Sequence, residues 1–83
     1  MATLKEVKNC MNMSVESLLK ILALKCTHII CTDLSIVFEV GNILHECMYA
    51  HGYVYQEYIL DDISLSDYIA LCKTHHVHYT QIA

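Results

Sequence analysis

Proline is absent from this 83-residue chain, and glycine occurs only at positions 41 and 52. No residue therefore forces a break through the apolar middle of the sequence. There Val37, Val40, Leu44, Cys47, His51, Val54 and Tyr58 recur at alternating spacings of three and four. A second stripe of Ile36, Val40, Ile43, Cys47, Ala50 and Val54 overlaps the first. The pattern predicts one long helix from Leu34, apolar around a wide arc and packed on more than one neighbour. Some 25 residues of helix would run roughly 38 Å, longer than a domain of this size can cover alone. Gly52 would weaken its far end by about 1 kcal/mol and is a candidate stop.

The flanks carry clearer local signals. In "MSVESLLKILALKC", Ser14 is an N-cap and Glu16 lies in the first turn, with Val15, Leu18, Leu19, Leu22 and Cys26 forming one helical face. "THIICTD" reads as an extended connector that ends at Thr32 or Asp33, the next N-cap. "YQEYILDDI" reads as a second extended connector. In "ISLSDYIALC", Ser64 caps a last helix, Asp67 stands at N3 as in a capping box, and Ile63 can staple onto Tyr68. Leu65, Tyr68, Ile69 and Cys72 form its buried stripe, and Lys73 suits its C-terminal end. A short N-terminal helix through Leu4, Val7 and Met11 is also expected, and "HVHYTQIA" reads as a tail.

The resulting order is short helix, loop, long helix, loop, short helix. Residues 14–77 thereby resemble the histone-fold family in its non-histone form: TBP-associated-factor-like subunits of TFIID and SAGA, or centromere subunits. The features that carry the resemblance are "SVESLLKILAL", "DLSIVFEVGNILHECMYAHGYVYQEYI" and "ISLSDYIALC". It implies an all-α single domain over 1–83, with its core at 14–77 and an added N-terminal helix. It also implies obligate handshake pairing with a second histone-fold chain, heterodimeric or homodimeric. The expected interface is Val37, Val40, Leu44, Cys47, His51, Val54, Tyr58, Leu65, Tyr68 and Ile69, and Leu44→Asp is expected to abolish pairing. On this reading the chain is a non-enzymatic scaffold subunit of a nuclear transcription complex. A centromere, kinetochore or DNA-repair subunit is the alternative.

Composition points independently to a partner. Hydrophobic residues make up 55% and charged residues 17%, against about 45–50% and about 25% in ordinary soluble domains. So small and apolar a chain cannot hide all its apolar surface within itself. The formal charge is −4, with no arginine among the five basic residues, which argues against direct nucleic-acid binding. Five cysteines without a CxxC pair suggest a reduced, intracellular setting. No secretory pattern opens the sequence, and no charge-free apolar run approaches the ~18–20 residues of a membrane span. A cytosolic or nuclear setting without membrane contact is therefore expected, and the histone-fold resemblance implies the nucleus.

Two chemistries compete with plain packing. If the helices hold, Cys47 with His51 and Cys72 with His76 are i, i+4 pairs able to complete a Cys2His2 zinc site. Such a site would make the chain a small zinc-stapled helical interaction domain. Cys26, His28 and Cys31 form another partial cluster. The simpler reading treats these cysteines as small buried hydrophobes, with no cofactor. Catalysis lacks support: no glycine-rich loop or strand-to-helix elbow accompanies a Cys–His pair, and His45–Glu46 and Asp61–Asp62 read as solvated neighbours. Tyr49, Tyr53, Tyr55 and Tyr58 read as protein-contact residues, because base stacking would want cations around them.

Overall fold

The computed structural model describes residues 4–6, as backbone, and 10–82. Its elements run β1 (Leu4–Glu6), α1 (Val15–Lys25), β2 (Ile29–Thr32), β3 (Ser35–Val40), β4 (Ile43–Ala50), β5 (Tyr53–Leu60), α2 (Leu65–Thr74) and β6 (Tyr79–Gln81). The strands form one six-stranded antiparallel sheet in the order β1-β5-β4-β3-β2-β6. The chain is thus α+β, and the all-α histone fold, with its long central helix and its handshake, is overturned. The residues assigned to that helix form the three-strand meander β3–β4–β5 instead.

Two tight turns explain why. Gly41–Asn42 joins β3 to β4 and His51–Gly52 joins β4 to β5, and all four residues have positive φ. A two-residue hairpin of type I′ demands that conformation at both central positions, and Gly-Asn is a recognised signal for it. The stop expected at Gly52 is thus a strand reversal. The three-and-four spacing also has a physical cause. β3 and β4 contribute side chains to cores on both faces of the sheet, so apolar residues do not alternate cleanly with polar ones. A strand buried on two sides mimics a helix with a wide apolar arc. Thr32, expected as an N-cap, makes cap-like bonds within the β2–β3 turn: its Oγ1 accepts from the backbone N–H groups of Leu34 and Ser35.

The two predicted short helices are present as read. Ser14 accepts from the backbone N–H of Ser17 at the start of α1. Ser64 and Asp67 form the full capping box at α2, and Ile63 packs in the same cluster as Tyr68. The expected N-terminal helix is a strand over Leu4–Glu6; Met11 lies in a turn, and Val7 is outside the described residues. The "tail" supplies β6, which pairs antiparallel with β2.

Each helix covers one face of the sheet. On one side, Leu18 and Leu22 of α1 pack with Ile29, Ile36, Phe38, Cys47 and Val54. On the other, Leu65, Tyr68 and Ile69 of α2 pack with Ile30, Val37, Leu44, Tyr58, Leu60 and Tyr79. On the α2 face the Tyr68 hydroxyl donates to Glu46 Oε2 at 2.7 Å. Burial and the Glu46 carboxylate push the Tyr68 hydroxyl far above the usual phenol range.

Two measurements follow from this architecture. Gly52 has φ +82° and nothing within 4 Å of an added Cβ, so Gly52→Ala meets backbone strain alone. A urea melt should show it destabilised by about 1 kcal/mol, whereas a helical position would be stabilised by about the same amount. Tyr68→Phe strips Glu46 of its donor and should cost about 1–3 kcal/mol by the same assay. Because the native Tyr68 proton is held more tightly than the unfolded one, its contribution is complete below the unfolded pKa of about 10 and declines as pH rises above it. The loss should be absent from Tyr68→Phe.

Candidate functional site

The period of a strand puts His45 and Cys47, two apart on β4, on the same face, the one that α1 covers. Cys47 stands directly opposite Glu57 of β5. Cys10 arrives from the segment before α1. That segment is anchored to β5 through Asn12 N–H to the Val54 carbonyl and Val54 N–H to the Met13 carbonyl. A turn closes from the Met13 N–H to the Cys10 carbonyl, with Asn12 left-handed at its third position. These connections bring residues 10, 45, 47 and 57 together from three parts of the chain.

Donor atoms of Cys10, Cys47 and Glu57 all lie within 4.8 Å of one another. His45 Nδ1 lies 3.4 Å from Glu57 Oε2, and its ring stacks on Phe38 with centroids 5.1 Å apart. Glu57 is 3% exposed. Its Oε1 and the His45 Nδ1 are both buried without a hydrogen-bond partner. The contrast with Glu46 is direct, since that carboxylate on the other face receives a tyrosine hydroxyl. Burial, and after it the Glu57 carboxylate, push the Cys10 thiol up to about 11, while Lys25 and Cys47 pull weakly the other way. Burial and the Glu57 charge drive the Cys47 thiol higher still.

The cluster borders a cleft of about 360 Å³ between α1 and the sheet. Cys10, His45 and Glu57 line it with Met13, Leu18, Ile21, Leu22, Lys25, Phe38 and Val40. An apolar cleft with a few convergent polar groups is the usual form of a binding site.

The sequence-predicted residues are distributed otherwise. Val37, Leu44, Tyr58, Leu65, Tyr68 and Ile69 belong to the chain's own core beneath α2, and Cys47 and Val54 to the core beneath α1. Leu44→Asp would therefore strike folding rather than pairing alone. Val40 and His51 are exposed.

The proposed Cys47, His51, Cys72 and His76 quartet is not assembled, because Cys47 and His51 lie on a strand and turn where a helix was expected, and α2 ends at Thr74 before His76. Cys47 faces α1, whereas Cys72 is carried by α2. His51 and His76 are exposed, left-handed turn residues. His76 ends α2: its N–H bonds to the Lys73 carbonyl, and the Val77 N–H bonds to that of Cys72, as in a Schellman motif. Cys26, His28 and Cys31 form no cluster of donors among the described residues. The signal in the sequence was His45-Glu46-Cys47, read at a period of two. Cys10 and Glu57 had no local signal.

Compared with protein-family models, curated proteins and solved structures, the chain matches none.

A stability measurement isolates the role of Glu57. A buried carboxylate lacking donors lowers stability, so Glu57→Leu in chelator-containing buffer should melt at or above the wild-type temperature. A loss of several degrees would mean that Glu57 serves packing.

Proposed function

We propose that the chain is a non-enzymatic protein-binding module whose α1 side receives an apolar segment of a partner chain. The observation that carries this reading is a set of exposed apolar residues at and beside the cleft. Ile21 of α1 and Val40 of β3 line the same opening, and Ile43 is the cross-strand neighbour of Val40. Leu24, one turn along from Ile21 on α1, is 89% exposed. Exposed apolar surface of this kind marks protein contacts, and the 55% hydrophobic composition agrees with it.

The chemistry of the cleft favours binding over catalysis. A thiol held up at about 11 carries almost no thiolate at neutral pH and is a weak nucleophile. The expectation of a nuclear transcription, centromere or DNA-repair assembly drew on the histone resemblance and loses that support. The demand for a partner does not depend on it.

Lysine at positions 21 and 24 tests the reading, since both are outward positions on a helix and lysine is a good helix former. The Ile21→Lys, Leu24→Lys double variant should fold as the wild type does by circular dichroism. It should bind a purified co-purifying partner at least about tenfold more weakly, a change of about 1.4 kcal/mol. Leu71→Lys on α2 should bind normally. Equal affinity of the double variant and the wild type would refute the assignment.

A further inference from the structure

We propose that Cys10, Cys47 and Glu57 bind one divalent transition-metal ion, zinc by the chemistry of the donor set, with His45 completing the site. This goes beyond partner binding and rests on different observations. Two sulfurs, a carboxylate and an imidazole are the ligand types zinc takes, and soft thiolates disfavour magnesium and calcium. A tetrahedral zinc would space its sulfur and oxygen ligands about 3.4–3.8 Å apart. The three donors, within 4.8 Å of one another, need to close by at most about 1.4 Å to reach that. The 3.4 Å between His45 Nδ1 and Glu57 Oε2 already equals the spacing of nitrogen and oxygen ligands on such an ion, about 3.4 Å.

The strongest argument is the pair of atoms left without partners. Glu57 Oε1 and His45 Nδ1 are buried without hydrogen-bond partners among the described residues, Glu57 within the cluster of sulfurs and His45 beside it through Glu57. Water is scarcely admitted, and no hydroxyl or amide approaches Oε1 among the described residues. A cation would satisfy both atoms at once and match the sulfurs beside them. Charge also balances. Two thiolates and a carboxylate offset the ion and leave one negative charge, and Lys25 lines the same cleft. Binding displaces the two thiol protons, which leave through the cleft to solvent. The ion would tie the segment before α1 to the centre of the sheet, joining residues 10 and 57 across most of the chain.

The test is titration of the purified full chain, stripped with chelator and kept under a phosphine reductant, with zinc alone and with cobalt(II) alone. The expected result is one ion per chain, intense thiolate-to-cobalt charge-transfer absorption and a higher melting temperature with zinc. Glu57→Gln, which keeps shape and removes charge, should weaken zinc by about tenfold or more. Cys10→Ser, at a half-exposed turn position, should halve the charge-transfer intensity or abolish it while keeping the chelated fold by circular dichroism. Cys72→Ser, on the other side of the sheet, should titrate as the wild type. Absence of stoichiometric binding by the wild type would overturn the site. So would wild-type affinity in both Cys10→Ser and Glu57→Gln.

Discussion

The register of β4 between β3 and β5 is the constraint on which the rest of the structure depends. Its residues pair with both neighbours, Cys47 with Ile36 on one side and Glu57 on the other. Because side chains alternate, a slip by one residue would send His45 and Cys47 to the α2 side and Leu44 and Glu46 to the α1 side. Leu44 would leave a core in which it is fully buried, Glu46 would lose Tyr68, and the cleft would lose its polar floor. The two left-handed turns at Gly41–Asn42 and His51–Gly52 hold that register by allowing only two residues at each reversal. A register shift at Met48 and Tyr49 leaves Tyr55 of β5 as the extra residue, just after the second turn.

The two faces treat their carboxylates differently, although Glu46 and Glu57 both come from central strands. On the α2 side a tyrosine from the helix reaches down to Glu46, and Ser35 sits beside the same hydroxyl. On the α1 side the helix presents leucines, isoleucine and a lysine, and among the described residues no hydroxyl or amide donates to Glu57 Oε1. Buried polar groups are normally satisfied. A chain that settles one carboxylate and leaves its counterpart open points to a function at the open one.

What could be read in advance divides along the same lines. Caps are local, so Ser14, Ser64 and Asp67 announced both helices correctly. The meander was concealed because Ser35–Phe38 are buried without interruption, which erases the alternation that identifies a strand. The abundance of β-branched and aromatic residues in "SIVFEV" and "YVYQEYIL", with Gly-Asn between strands, was the countervailing signal. Of the site, Cys47 was named as a potential ligand, but a helical period matched it with His51 in place of His45. Cys10 and Glu57 join it only through strand pairing and the crossing segment. Such proximity belongs to topology, and no local pattern encodes it.

The sheet is bounded by its shortest strands, β1 and β6, each three residues long. β1 covers only Tyr58–Leu60 of β5, and the Asn12–Val15 stretch takes the other end through its bonds to Gly52 and Val54. The eight-residue β5 is therefore shielded in two instalments, each from a different piece of the N-terminal segment. If either piece detached, a long strand with exposed tyrosines would become an open template for a neighbouring molecule. The Cys10 segment thus keeps that end of β5 paired, so a ligand bound beneath α1 would also hold the cover of a strand edge in place.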